Sequence, residues 1–250
     1  SCTVSRYKKK VVLDMSKRVN YSRHIEAHWL DQTALWVAEG LNKQELHDKI
    51  NSMLSPLINC KVNLGKTRNQ LTSLWFDKNE NVSSEFSAFA VDYVKESHDI
   101  PLVIHWGLLI AKKKFFADVA RFIGRNSKFN DSFTYAQVQK RMVELYGDTE
   151  TVKRGLRSVL KTMVDFGVLL RSNSRSYQVN QNNLAVPKKL MNWLLCALLF
   201  SEDVISRTLS DIIDDAIWFP FEISIEPEDI DKQWFEVHQQ GYELMLFRKK

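Results

Sequence analysis

The chain contains few of the residues that interrupt or cross-link a fold. Its 250 residues include eight glycines, five prolines and three cysteines. So little glycine and proline favours a helix-dominated structure, because both residues destabilise helix interiors. Cys2, Cys60 and Cys196 are odd in number and far apart, which argues against a disulfide framework or a zinc site. This usage predicts reduced thiols in a cytoplasmic protein.

Long apolar runs are also missing. The two densest, "PLVIHWGLLIA" and "MNWLLCALLF", fall short of the roughly 20 residues that are needed to cross a bilayer. We therefore expect them to form buried core helices, and we expect no membrane partner. The basic stretch "SRYKKK" is not followed by a long apolar segment, so no secretory signal is predicted.

Charge is distributed unevenly along the chain, although the net charge is only +5. Residues 101–189 hold sixteen basic and six acidic side chains, whereas residues 190–250 hold five basic and twelve acidic ones. Residues 1–24 have a net charge of +6, and residues 25–100 have a net charge of −4. Residues 1–24 predict a basic arm along a nucleic-acid backbone, and a disordered terminus is the alternative. A basic module between acidic neighbours favours a polyanionic partner, but solvated lysines would produce the same distribution.

Helical periodicity fills the acidic N-terminal block. Residues 25–39 place their apolar side chains on one side of a helix. Asn42 and Glu45 have the spacing of a capping box at the start of the next helix. Residues 66–76 and 84–96 predict two more helices, so we expect this block to be a small all-α domain.

The basic module begins with a long helical pattern. Leu102 to Arg125 predicts one helix, or two with a break near Lys112–Lys114, and Gly124 is its expected end. Two further helices and a hairpin are predicted after it.

The first of these helices starts at a capping box formed by Thr134 and Gln137, and Gly147 ends it. The next helix runs from about Thr149 to Phe166. Two short apolar strands then flank the polar turn "SNSRS".

The two helices and the hairpin are predicted within residues 133–179, "FTYAQVQKRMVELYGDTETVKRGLRSVLKTMVDFGVLLRSNSRSYQV". The segment, under a fifth of the chain, resembles the winged helix-turn-helix superfamily in its Gly147 turn, in the apolar spacing of both helices and in "DFGVL" before the first strand. The resemblance implies that the second helix lies in the major groove of DNA and that the hairpin is a wing. Winged helices also dock proteins. We assign residues 101–186 to a winged-helix domain.

A second resemblance involves the N-terminal block. The stretch "LWVAEGLNKQELHDKI", residues 35–50, is similar to the helical opening of the A protein of the bacterial phage-defence system BREX. This likeness covers about twenty residues and no catalytic motif. It implies a role as an accessory protein in bacterial defence.

Candidate DNA-contacting residues lie on the second helix and on the wing. When core positions are removed, the second helix presents Lys153, Arg154, Arg157, Ser158 and Lys161. Arginine can bind guanine through O6 and N7, and lysine suits phosphate. Arg171 at the base of the wing and Arg175 at its tip are candidates for phosphate contact, and Gly155 would permit close approach of a phosphate or of the preceding helix. A solvated amphipathic helix and an ordinary polar turn would present the same residues.

Two short motifs suggest other chemistry but are incomplete. "NLGKT" at residues 63–67 lacks the upstream glycine of a phosphate-binding P-loop, because Cys60 and Lys61 stand there. A helix cap at Asn63 or Thr67 is the alternative for this motif.

The second motif, "HIEAH", places His24 and His28 four residues apart on one helical face, as zinc ligands sometimes are. It lacks the glutamate that follows the first histidine in a metalloprotease, because Ile25 stands there. No third ligand is evident, so we expect two surface histidines.

The acidic C-terminal region, residues 187–250, is expected to be α+β. Pro187–Phe200 and Glu202–Ala216 predict helices, while "FEISI", "WFEVHQ" and "YELMLF" alternate apolar and polar residues as strands do. The clusters "DIIDD" (Asp211–Asp215) and "EPEDID" (residues 226–231) could hold Mg²⁺. Acidic helix starts, solvated faces, or an acidic face for a partner or for the chain's own basic module are the alternative.

Together these patterns predict a mainly α protein with an N-terminal helical bundle, a central winged helix-turn-helix, and an α+β C-terminal part with a small antiparallel sheet. The expected function is non-enzymatic binding of double-stranded DNA, as a regulator or as an accessory subunit of a DNA-acting complex, without cofactor or metal. A protein-interaction scaffold is the alternative, and a metal-dependent nuclease is the third possibility. The acidic terminal regions are candidate surfaces for protein partners.

Overall fold

The computed structural model describes residues 17–249, which are mainly α-helical as predicted, at 57% helix. The helices are α1 (Ala27–Ala38), α2 (Lys43–Leu54), α3 (Lys61–Trp75), α4 (Ser84–Ser97), α5 (Leu102–Lys112), α6 (Lys114–Ser127), α7 (Tyr135–Tyr146), α8 (Glu150–Asp165), α9 (Lys188–Glu202) and α10 (Leu209–Ile213). The strands are β1 (Phe133–Thr134), β2 (Leu169–Arg171), β3 (Ser176–Val179), β4 (Leu184–Ala185), β5 (Ser206–Thr208), β6 (Phe221–Glu222), β7 (Phe235–Gln240) and β8 (Glu243–Arg248). Across the described range, no helix is long and apolar enough to cross a membrane.

The N-terminal block contains helices α1 to α4. The capping box of α2 is present, since the Asn42 side chain accepts from the Glu45 N–H and Glu45 Oε2 accepts from the Asn42 N–H at 2.8 Å. The predicted start of α3 at residue 66 is wrong, because the helix begins at Lys61. Asn63 and Thr67 therefore lie inside α3 and do not cap it. Thr67 Oγ1 instead donates to the Asn63 carbonyl at 3.0 Å.

The long pattern that starts at Leu102 forms two helices. Helix α5 ends at Lys112, α6 starts at Lys114, and Lys113 lies between them with φ −126° and ψ 81°. The expected end at Gly124 is wrong, because α6 continues to Ser127. Gly124 has a packing role: a Cβ there would lie 1.8 Å from the carbonyl oxygen of Ala216.

The central unit has the element order α6, β1, α7, α8, β2, β3. Strands β1, β3 and β2 form an antiparallel sheet in that order, with Phe133 opposite Tyr177. Strand β1 has only two residues, too few for a period-two pattern, which is why the sequence does not predict it. Helices α7 and α8 meet at Gly147 (φ 88°), and the Thr149 side chain caps α8 by accepting from the Val152 N–H.

The C-terminal region contains α9 and a second antiparallel sheet in the order β5, β8, β7. The predicted turn before Tyr242 is confirmed, with Gly241 at φ 63°. The predicted helix over residues 202–216 is wrong. Glu202 is the last residue of α9, Ser206–Thr208 pairs with β8, and the α-helix that follows is only Leu209–Ile213. Of "FEISI", only Phe221–Glu222 forms a strand, parallel to β4.

One contiguous hydrophobic core extends from Tyr21 to Leu246 and includes residues of all three regions. Both dense apolar runs form buried helices, α5 and α9, as predicted. Residues 1–16 of the predicted basic arm lie outside the described residues. From Val19 onward the chain is held against the core, because Tyr21 and Ile25 are fully buried.

Candidate nucleic-acid interface

Helix α8 has one side in the core and another in solvent. Its buried apolar side chains follow the spacing of three and four that the sequence predicts: Val152, Leu156, Val159, Leu160 and Met163. Arg154, Arg157 and Lys161 are exposed on the other side, where residues three and four apart lie close together. Because the apolar side of α8 is buried in the core, Arg154, Arg157 and Lys161 face the solvent.

An N-terminal segment, residues 19–27, covers the flank between these two sides. Val19 and Tyr21 pass over Gly155, where a Cβ would lie 2.7 Å from Val19 Cγ1 and 2.9 Å from the Tyr21 carbonyl oxygen. The close approach expected at Gly155 is thus made by the protein's own chain and by Phe115 of α6, whose ring carbon would lie 3.2 Å away. This packing leaves no room for a phosphate at Gly155.

Two of the predicted contact residues on α8 are already engaged within the protein. Lys153 Nζ lies 2.9 Å from Asp148 Oδ1, and this hydrogen bond raises the pKa of Lys153. Ser158 is half-buried, and its Oγ donates to the Arg154 carbonyl at 3.0 Å, with the Ser22 carbonyl at 3.4 Å. Both side chains are less accessible to a ligand than the three exposed cations.

Those three cations differ in their neighbours. Arg157 has a side chain 57% exposed, and its guanidinium lies 4.0 Å from Glu150. Arg154 and Lys161 form no ion pair with any residue in the described range. An exposed pair at 4.0 Å contributes little to stability, so Arg157 also remains available to an anion.

The hairpin between β2 and β3 is closed by its own side chains. Arg171 Nε donates to the Asn173 carbonyl at 3.1 Å, and Arg171 Nη2 donates to the Ser174 carbonyl at 3.1 Å. Asn173 Oδ1 accepts from the backbone N–H groups of Arg175 and Ser176. Arg171 therefore orders the turn, whereas the Arg175 side chain is exposed at its tip.

A groove of about 360 Å³ lies between α8 and this hairpin. Its lining residues are Tyr135, Arg157, Lys161, Val164, Arg171, Ser174 and Tyr177. Three of these side chains are cationic and none is acidic. The structure thus brings Arg157, Lys161 and Arg171 together, while Arg154 and Arg175 lie outside the lining.

The two tyrosines in the groove form part of its floor. Tyr135 Oη donates to the Lys153 carbonyl at 3.3 Å, and the Tyr135 N–H donates to the Arg175 carbonyl at 3.0 Å, so α7 is joined to both α8 and the hairpin. Burial raises the pKa of Tyr135, although Arg157 nearby opposes that rise. Tyr135 is therefore neutral at physiological pH and can present both an aromatic face and a hydroxyl.

Sequence reasoning missed Tyr135, Tyr177, Val164 and Ser174 as members of the site. Tyr135 follows the Thr134 cap, and Tyr177 sits mid-strand, so both have the pattern of ordinary structural residues. Their place in the groove depends on strand β1, which pairs Phe133 with Tyr177. No local signal in the sequence predicts that pairing.

The other candidate motifs do not form sites. Residues 63–67 lie within α3, so their backbone cannot wrap a phosphate as a P-loop does. Helix α1 begins at Ala27, so His24 and His28 do not share a helical face, and each imidazole lies 3.5 Å from the Glu26 carboxylate. In the part of the chain that the structure describes, no group of three or more potential metal ligands occurs.

The acidic cluster at the C-terminal side contains a buried ionic contact. Asp215 lies 3.2 Å from Arg121 Nε and 2.8 Å from Arg207 Nη1. Burial opposes the ionisation of Asp215, but the two arginines and the Ile217 N–H outweigh it and lower the pKa of Asp215. This carboxylate is occupied in joining α6 to the C-terminal region.

No protein-family model matches this chain, and no curated protein or solved structure matches it either.

Proposed function

We propose that the protein binds double-stranded DNA without a catalytic step, as a regulator or as an accessory subunit of a DNA-acting complex. The observation that carries the proposal is the groove between α8 and the hairpin, whose lining has three cationic side chains and no acidic one. A DNA phosphate is the anion that such a groove, beside an exposed basic helix, suits best. The element order from α6 to β3 supports the same interpretation. In winged-helix proteins the elements that correspond to α8 and to the hairpin between β2 and β3 are the ones that contact DNA.

In the proposed complex, α8 lies in the major groove and its exposed arginines face the base edges. Arg154 and Arg157 can each bind guanine through two hydrogen bonds, which discriminates against other bases by about 1–3 kcal/mol. Lys161, with Arg171 nearby, binds a backbone phosphate beside the wing. Arg175 extends from the wing tip to a further phosphate.

The test is duplex binding measured by fluorescence anisotropy over a range of salt concentrations. Each neutralised phosphate releases counterions, so the affinity should fall with salt with a log–log slope of about −0.9 per phosphate, or about −2 for the two phosphates bound by Lys161 and Arg175. Binding that is flat in salt, or absent at low salt, contradicts the proposal and leaves the protein-docking scaffold as the better account.

The same samples test the absence of catalysis. With Mg²⁺ added, the duplex should remain intact, and nucleotides and peptides should not be hydrolysed. Metal-dependent nicking that disappears on changing Asp214 and Asp215 to alanine would establish a nuclease instead.

A further inference from the structure

A second cationic cavity lies at the break between α5 and α6, away from the groove beside α8. Three consecutive lysines occupy this break and point to three different neighbours. Lys112 Nζ donates to the Leu74 carbonyl at 2.6 Å, Lys113 Nζ to the Ser73 hydroxyl at 2.7 Å, and Lys114 Nζ to the Ser201 carbonyl at 3.3 Å. All three of these hydrogen-bond partners are uncharged, and Lys114 alone also has a carboxylate near its ammonium, since Asp118 Oδ1 lies 3.7 Å from Lys114 Nζ.

Buried ammonium groups without carboxylate partners are costly. Lys112 is only 4% exposed, and neither Lys112 nor Lys113 forms an ion pair with a described residue. Burial lowers the pKa of each to about 8. Asp77 is the acid whose charge reaches both, but its carboxylate is bound to Lys43 at 2.7 Å. The positive charges of Lys112 and Lys113 are therefore only partly compensated within the protein.

The cavity beside this break has a volume of about 440 Å³, and four cations line it: Lys17, Arg18, Lys112 and Lys114. Two acids, Glu202 and Asp203, also line it. Glu202 is held by Arg207 at 3.0 Å and by Arg121 at 3.4 Å, so its charge is already offset. Four cations therefore face Asp203 in the lining and Asp118, which lies 3.7 Å from Lys114 Nζ.

Uncharged donors and the end of a helix add to this cationic lining. The side chains of Asn20, Asn79 and Asn81 also line the cavity. Asn20 spans the break, since its Oδ1 accepts from the Phe115 N–H and its Nδ2 donates to the Lys112 carbonyl, each at 3.3 Å. Helix α6 begins here, and the side chain of its N-cap residue, Lys113, makes no capping hydrogen bond, so Asn20 accepts from a first-turn N–H in its place. The partial positive charge of a helix N-terminus favours anions.

We propose that this cavity binds a multivalent phosphate, either from a small phosphorylated molecule or from a nucleic-acid backbone. A single carboxylate would leave most of the cations unpaired, whereas a group with two or more negative charges offsets them. The volume lies within the range of about 300–1,000 Å³ that is usual for small-molecule sites, and is large enough for a diphosphate or a nucleotide. The site shares no lining residue with the groove beside α8, so it goes beyond the proposed DNA contact.

Calorimetric titration of the whole chain with sodium pyrophosphate, at ionic strength held constant with sodium chloride, tests this site. Saturable binding of one pyrophosphate is expected. Lys112→Met and Lys114→Ala should each weaken it by about ten-fold or more, because each removes a charge-assisted contact. Lys189→Ala is the matched control, since Lys189 is 77% exposed on α9 and lies outside the cavity, and it should leave binding unchanged.

No saturable binding, or equal binding by wild type and both cavity variants, overturns the proposal. If Lys112→Met does not fold, Lys114→Ala and Arg18→Ala decide the matter, because both side chains reach solvent. A competing duplex distinguishes the two sources of phosphate. This competition uses the Arg157→Ala variant, which lacks a proposed DNA contact on α8. If the duplex displaces pyrophosphate from this variant, the natural ligand of the cavity is a nucleic-acid backbone. If the duplex does not displace it, the ligand is a small phosphorylated molecule.

Discussion

The hydroxyl of Tyr21 lies 2.8 Å from the hydroxyl of Thr162, fully inside the protein. The same Thr162 oxygen accepts from the Ile25 N–H at 2.9 Å. One side chain of α8 thus satisfies two buried polar groups of the N-terminal segment. This segment is held to α8 by a contact that the sequence does not predict.

Thr162→Val should destabilise the protein by about 2–4 kcal/mol, because it leaves the Tyr21 hydroxyl and the Ile25 N–H buried without partners. Urea denaturation measures the loss. Thr151→Val is the control: Thr151 is exposed on the same helix, and its change should stay within about 0.5 kcal/mol. Equal effects at both positions would show that the contact contributes nothing specific.

Substitution by alanine should change the stability of the protein in opposite directions at two helical glycines. At Gly65 in α3 a Cβ meets nothing within 4 Å, so Gly65→Ala should stabilise the protein by up to about 1 kcal/mol through helix propensity. At Gly155 the Cβ would lie 2.9 Å from the Tyr21 carbonyl oxygen, a backbone atom that cannot move without displacing the segment. Gly155→Ala should therefore lower the melting temperature while Gly65→Ala raises it. A rise for both contradicts the packing described at Gly155.

Many elements of the fold can be predicted from residues that are close in the sequence. The elements that cannot be predicted in this way depend on pairing between residues that are distant in the sequence. The caps at Asn42 and Thr134 follow from side chains three residues apart, which is why those helix starts are predictable. The sequence predicts helix where strand β5 lies, because the three residues of this strand are defined only by their pairing with β8. The groove has the same origin: Arg157 and Arg171 are visible as cations in the sequence, but Tyr177 joins them only through the β1–β3 pairing.

His105 should make stability depend on pH below neutrality. Its Nδ1 accepts from Trp75 Nε1 at 3.1 Å, and an indole nitrogen can only donate, so Nε2 carries the proton and donates to Asp31 at 2.7 Å. Burial lowers the pKa of His105, although Asp31 opposes this. His105 therefore binds a proton more readily in the unfolded chain than in the folded one. Its contribution to the free energy of unfolding is fully present above about pH 6.5 and is lost as the pH falls toward the pKa of His105 in the folded protein.

Urea denaturation at pH 7.5 and at about pH 5.5 measures this dependence. His105→Gln should reduce the difference between the two values, whereas His238→Gln serves as the control, because that side chain is 56% exposed in β7. An unchanged pH dependence in His105→Gln would assign the effect to other groups.

The exposed face of α8 should contribute more to DNA affinity than the wing tip. Arg154 and Arg157 project from a helix whose opposite side is fixed in the core by Leu156 and Leu160, so their direction is set before DNA arrives. Arg175 extends from a turn, outside the groove lining. We expect Arg157→Ala or Arg154→Ala to weaken duplex binding and relax base preference by about 1–3 kcal/mol at one position.

Arg175→Ala should weaken binding evenly across sequences and reduce the magnitude of the salt slope by about 1, as loss of one phosphate contact does. Arg171→Ala should differ from both, because Arg171 closes the hairpin through the Asn173 and Ser174 carbonyls and its loss disorders the wing. Anisotropy on two duplexes of different sequence, with circular dichroism as the check on folding, separates these outcomes. If Arg175→Ala abolishes binding while the α8 variants bind normally, the wing is the main contact. If all four variants bind as wild type does, α8 and the hairpin are better explained as a surface for a protein partner.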